Sequence, residues 1–160
     1  MKKKLTWIFL VLVCVLCVKP MCTQAATGDW EYEENSDGTS VTITHYNGND
    51  TEVEIPAEID GKKVTRIGNN AFEWCFDVRT VDIPSTVNSI GKEAFYCCYG
   101  LTSIELPDNI TYMGNAVFGI CKNLVDVKLS SGMTIIPDNT FWKCEGLKNV
   151  EIPDEITEIG

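Results

Sequence analysis

Apolar and polar positions alternate in short bursts along most of this chain, and the bursts recur at a fixed interval. In LTSIELP (101–107), Ile104 and Leu106 alternate with Ser103 and Glu105, the period-two pattern of a half-buried strand. The same pattern stands at VRTVDIP (78–84), LVDVKLS (124–130) and LKNVEIP (147–153). The steps from Ile83 to Leu106 to Leu129 to Ile152 are 23 residues each, with no insertion. A second apolar pair follows each strand: Val87 and Ile90, Ile110 and Met113, Met133 and Ile136, Ile156 and Ile159. The remaining stretch reads IGNNAFEWC (67–75), IGKEAFYCC (90–98), MGNAVFGIC (113–121) and IPDNTFWKC (136–144). Its Gly-x-x-Ala-Phe-x-x-Cys pattern sets apolar residues at helical spacing, enough for one or two turns of helix. Pro84, Pro107 and Pro153 lack the N–H a ladder needs, so each ends its strand. Gly91 and Gly114 permit a bend before the Ala-Phe step.

No such unit can enclose its own apolar side chains. Stacking the units pairs the strands into a parallel sheet and buries Phe72, Phe95, Phe118 and Phe141 as a continuous spine. The first copy is looser: Ile55-Pro56 precedes Ile83-Pro84 by 28 residues, and the extra five lie around Asp60-Gly61, a turn signal. Upstream, Asp37-Gly38 and Asn47-Gly48-Asn49-Asp50 flank the β-branched run Val41-Thr42-Ile43-Thr44, which predicts a hairpin or meander. Residues 26–55 are therefore expected to form an N-terminal β cap with Trp30 as its lid, and residues 56–160 the repeats. The last repeat is incomplete, stopping at Ile159-Gly160 where earlier copies enter their helical turn. Since solenoid ends are normally capped, the chain is expected to be a truncated product or a fragment of a longer array, the alternative being an end covered by another chain.

The full pattern, Ile-Gly-x-x-Ala-Phe-x-x-Cys-x-x-Leu-x-x-Ile-x-Ile-Pro, resembles the leucine-rich repeats of the BspA-like bacterial surface proteins over residues 53–160. Ser130 stands in place of the Pro, Pro137 in place of the Gly, and Val117 and Thr140 in place of the Ala. The resemblance implies an α/β, horseshoe-like leucine-rich-repeat solenoid, β-rich with short helical turns. It also implies export and a non-enzymatic binding or adhesion role at the cell surface, with protein ligands on a host, a neighbouring cell or a matrix. The alternative it leaves open is a structural spacer or stalk within a larger surface protein, any enzymatic activity lying elsewhere in that protein.

The first 25 residues change the picture of charge and redox. Lys2, Lys3 and Lys4 precede an apolar run from Leu5 to Val18, and Thr23-Gln24-Ala25 supplies small residues at a cleavage site. That is the layout of a secretory signal peptide over residues 1–25, with an apolar run shorter than a membrane span of about 20 residues. This leader holds four lysines and no acid, so its removal takes the formal net charge from −10 to −14. A polyanion of this kind repels nucleic acid and anionic membrane surfaces. Cleavage also removes Cys14, Cys17 and Cys22, leaving five cysteines. An even set in an exported chain reads as a disulfide framework. Here the number is odd, and Cys75, Cys98, Cys121 and Cys144 recur at the repeat period.

Periodicity favours packing for that column, over a disulfide between neighbouring units or a metal site, whose ligands converge at close spacing. Cys97 lies outside the column and is expected to be the partly exposed thiol. His45, at a strand end, has no nucleophile placed with it in any catalytic layout, and no cofactor or metal site is expected. The outward strand positions offer a sharper candidate. They are Glu52 and Glu54, Thr80 and Asp82, Ser103 and Glu105, Asp126 and Lys128, Asn149 and Glu151. Stacked about 5 Å apart, they make a polar, mostly anionic surface that Lys128 interrupts. It is either a binding face for a basic partner or a divalent cation, or a solvated face kept charged against aggregation. Trp74, Tyr96 and Trp142 precede the cysteines at positions where Gly119 and Lys143 also occur. They are candidate exposed anchors, or side chains half-buried against the neighbouring turn. The candidate contact residues are thus Asp82, Glu105, Asp126, Lys128, Glu151, Trp74, Tyr96 and Trp142.

Overall fold

The computed structural model describes residues 25–160. The leader expected over residues 1–25 therefore falls, but for Ala25, outside the described residues. Fourteen strands follow in order: β1 (Ala25–Thr27), β2 (Trp30–Glu34), β3 (Ser40–Tyr46), β4 (Glu52–Glu54), β5 (Glu58–Ile59), β6 (Lys62–Ile67), β7 (Thr80–Asp82), β8 (Ser89–Ile90), β9 (Ser103–Glu105), β10 (Tyr112–Met113), β11 (Asp126–Lys128), β12 (Ile135–Ile136), β13 (Asn149–Glu151) and β14 (Glu158–Ile159). Each 23-residue unit gives one three-residue strand and one two-residue strand, so the coil has two sheet walls. In the first wall Val127 pairs with Ile104 on one side and Val150 on the other, all parallel. The 28-residue offset of the first copy appears as Val53 opposite Val81. Its extra residues form the β5–β6 hairpin, turned by Asp60 and Gly61 with φ of 51° and 74°, as a two-residue primed turn requires.

The segment expected to make one or two turns of helix does something else. No helix occurs among the described residues. In the unit from Asn70, alternate N–H groups reach across the stack: Asn70 to Lys92 O (3.0 Å), Phe72 to Ala94 O (2.7 Å), Trp74 to Tyr96 O (3.1 Å). The intervening N–H groups close local turns, Glu73 to Asn70 O and Cys75 to Phe72 O. This pattern repeats through Glu93, Phe95 and Cys97, then through Ala116, Phe118 and Ile120. It needs left-handed backbone twice per unit, at Asn70 and Trp74, Glu93 and Cys97, Ala116 and Ile120, Asn139 and Lys143, with φ between 54° and 66°. Each left-handed non-glycine residue costs about 1 kcal/mol or more. The cost is offset because the segment becomes a third hydrogen-bonded wall, satisfying donors that a short helix would leave open.

Inside the three walls run the apolar columns. Phe72, Phe95 and Phe118 are fully buried, and Phe72, Phe95, Phe118 and Phe141 stack with centroid separations of 4.9, 5.7 and 5.9 Å. Tyr46 extends this spine by one step. Its ring stacks on Phe72 at 5.3 Å, and its N–H donates to Ala71 O as that of Phe72 does to Ala94. Trp30 lies beyond it, 4.8 Å from Tyr46 and packed against the core. Strand β2 pairs antiparallel with β1 and β3, and β3 passes parallel to β6.

Two seams interrupt the walls. Strands β10 and β12 belong to separate sheets, and Pro137 explains it. The residues of its column, Gly68, Gly91 and Gly114, each donate their N–H to the preceding unit, to Ile43, Ile67 and Ile90 O. Their glycine is set by close approach: a Cβ on Gly91 would stand 2.5 Å from Asn69 N. The bend expected at Gly91 is thus a tight contact between units. Pro137 has a Cβ and no N–H, so the approach and the bond are both lost. In the other wall β7 and β9 also belong to separate sheets, although Thr102 N still reaches Arg79 O at 3.0 Å; nothing in the side chains accounts for this second seam. Ser130, in place of a Pro, is fully buried and bonds Ile110 O at 2.8 Å.

Candidate functional site

The long-strand wall carries the acidic candidates. Short strands with one central apolar residue bury that residue and expose its neighbours, an alternation seen at Val53, Val81 and Val127. Parallel register then sets Glu54 beside Asp82 and Lys128 between Glu105 and Glu151. Lys128 does more than interrupt the anionic surface. Its ammonium is hydrogen-bonded to the Glu105 carboxylate, and that bond with the nearby negative charge raises its pKa. Asp126 accepts from Asn149 Nδ2 at 2.6 Å. At the β7–β9 seam lies an open depression of ≈ 620 Å³, lined by Glu52, Glu54, Asp82, Ile83, Glu105 and Pro107 among others.

The aromatic candidates fall into two groups. Trp74 is 52 % exposed and meets Phe76 edge-on at 5.8 Å, and Phe76, 48 % exposed, lies 5.0 Å from Tyr99. Lys122 sits over the Tyr99 ring at 5.5 Å. Trp142 is exposed one side of the next turn, with Lys143 over its ring at 4.4 Å. Tyr96 is half-buried, and its ring covers Gly119, where a Cβ would stand 2.7 Å from ring carbons. Glycine at 119 therefore reports contact with Tyr96 and not indifference to bulk. Phe76 and Tyr99 were not singled out from the sequence. A signal existed, since Phe76, Tyr99, Lys122 and Glu145 form one column at the 23-residue period.

The column thiols are free and do more than fill space. Cys98 Sγ donates to Phe72 O at 3.0 Å, Cys121 to Phe95 O at 3.1 Å, and Cys144 to Phe118 O at 2.9 Å. Burial pushes the Cys75 and Cys144 thiols up to about 11 and raises those of Cys98 and Cys121 well above the ordinary value. They are poor nucleophiles and poor metal ligands, both of which need thiolate. Cys97, expected to be partly exposed, is buried at 1 % exposure. Its backbone is left-handed, with φ of 60°, and is tied on both sides: its N–H donates to Gly119 O at 2.9 Å and its carbonyl accepts from Tyr99 N at 2.8 Å. His45 lies half-buried on β3, opposite Glu31 of β2. Among the described residues no three His, Cys, Asp or Glu side chains converge as a metal would require. Among the described residues there is no helix long and apolar enough to cross a membrane.

Comparison with known proteins places this architecture. The chain matches the BspA type leucine rich repeat region over residues 44–160, in six copies. No curated protein matches it. A leucine-rich repeat protein from Bacteroides capillosus is 28% identical, with 80% of this chain and 96% of that one covered at a TM-score of 0.69. The Treponema pallidum leucine rich repeat protein is 26% identical over 86% of this chain and 81% of its own, TM-score 0.62. A leucine rich cell surface protein from Faecalibacterium prausnitzii is 27% identical over 85% of this chain, TM-score 0.66, and this chain covers 44% of its length. The 23-residue coil, the phenylalanine spine and the thiol column agree with that match: the chain belongs to the BspA-type leucine-rich repeat family.

Proposed function

We propose that this chain is a non-enzymatic adhesion module, exported to the cell surface, that recognises proteins through the long-strand wall of its solenoid. The observation that carries the reading is the ordered exposure of that wall. Its strands, β4 with β7 on one side of the seam and β9, β11 and β13 on the other, present ten outward side chains of which nine are exposed, with Glu54 in register with Asp82 and with Glu105 and Glu151 flanking Lys128. A rigid, open sheet face is where solenoids usually bind, and its charge suits a partner with basic residues at matching spacing. Relatives of this family include a cell surface protein, which supports the proposed location.

The test is attachment of beads carrying the purified chain to host cells or matrix proteins, against beads carrying an unrelated acidic solenoid. Replacing Asp82, Glu105, Asp126 and Glu151 together with Ser is expected to slow association and flatten its salt dependence, because rim charges act mainly on the on-rate. Background attachment by the unaltered chain would sink the proposal and leave a spacer role for the coil.

A further inference from the structure

A second surface, separate from the strand wall, has the makings of a docking site. Trp74 and Phe76 are both about half exposed although neither closes the core, and with Tyr99 they form one contiguous ledge across two units. Soluble proteins rarely cluster large exposed aromatics without a partner for them. The backbone beneath is fixed, since Trp74 N bonds Tyr96 O and Cys97 N bonds Gly119 O. The ledge ends on Lys122, above Tyr99, and that ammonium has no ion-pair partner among the described residues. The exposed carboxylates of its surroundings are Asp77, next to Phe76, and Glu145, one unit beyond Lys122 in the same column.

The ring geometry narrows the occupant. Trp74 and Phe76 are 76° apart and Phe76 and Tyr99 34° apart, so no two neighbouring faces are coplanar, and Lys122 covers one face of Tyr99. A sugar ring stacking on aromatics wants a flat, open platform. An aliphatic or aromatic side chain fits the notch between tilted rings. The uncompensated charge adds the second requirement, a carboxylate at Lys122. Tyr99 lies 5.0 Å from Phe76 and 5.5 Å from the Lys122 ammonium, so the two ends of the ledge are within reach of about three residues of extended chain. We propose that this ledge binds an extended protein segment carrying an apolar side chain against Trp74 and Phe76, with a carboxylate three residues away paired to Lys122. The proposal is independent of the strand-wall reading and uses none of its residues.

The test is a titration of the full chain with a capped hexapeptide holding Leu-Phe followed three residues later by Asp, its counterpart with Lys for the Asp, and xylohexaose. The indole N–H resonance of Trp74 is the readout, and that of Trp30 reports whether the fold is intact. The Asp peptide is expected to shift Trp74 and to bind at least fivefold tighter than the Lys peptide. Phe76→Ala should abolish the shift with Trp30 unchanged, and Lys122→Glu should reverse the preference between peptides. Substituting Asp82 and Glu151 by Ser should change nothing. A Trp74 resonance unmoved by either peptide, equal affinity for both, a response to xylohexaose alone, or no effect of Lys122→Glu would each overturn the proposal.

Discussion

At the scale of single residues, the cysteine column shows how a side chain can serve two needs at once. A buried thiol behaves as a small hydrophobe, and here it also donates to the phenylalanine carbonyl of the preceding unit. Cys98→Ala is expected to cost about 1–2 kcal/mol, the lost hydrogen bond and a small void together, measurable in urea melts. The raised thiol pKa values also fix a pH dependence. In the unfolded chain these thiols ionise near their ordinary value of 9.0, while Cys75 and Cys144 in the fold hold their protons up to about 11. Above pH 9 the unfolded state therefore binds fewer protons, and stability falls as pH rises. The part of that decline due to Cys75 and Cys144 should run from about pH 9 to 11, and the fall should flatten when column cysteines become alanine, apart from the tyrosine contribution common to both proteins. A thiol reagent should react slowly with Cys75, Cys97, Cys98, Cys121 and Cys144 until the protein unfolds.

At the scale of elements, the strands and the spine were legible because burial alternation and the 23-residue period both survive in the side chains. The turn wall was not. Its apolar spacing is what a helix would show, and its left-handed columns hold Asn70, Glu93, Ala116, Asn139, Trp74, Cys97, Ile120 and Lys143, not the glycines that would have announced them. Tyr46 was hidden for a related reason: it joins the spine without the cysteine that marks later copies. Of the candidate anchors only Trp74 joins the aromatic cluster, where it meets Phe76; the other two members, Phe76 and Tyr99, were not singled out from the sequence. Two substitutions probe the glycine column. Gly91→Ala should destabilise by about 1–3 kcal/mol, the usual penalty for a forced contact. Pro137→Gly should let β12 approach β10, seen in hydrogen exchange as a new protected amide at residue 137. Its net effect on stability should stay within about 1 kcal/mol, because the bond gained is offset by the greater freedom of the unfolded chain.

At the scale of the whole molecule, stability is a sum over neighbours, so the same truncation costs different amounts along the coil. Phe95→Ala, between two stacked rings, should cost about 3–5 kcal/mol and lower the denaturation midpoint of the entire stack. Phe141→Ala, partly buried and stacked on Phe118, should cost less than half of that in the same melts. The two seams have a mechanical meaning. The unit beginning at β9 is loosened from its predecessor in one wall and from its successor in the other. Pulled from both ends, the coil should part first at the Pro137 seam, where only two of three walls carry the load. Thereafter each 23-residue turn peels away separately, lengthening the tether by about 75 Å per step. A chain that yields in small instalments dissipates a sudden tug and keeps the remaining turns, and whatever they hold, in place.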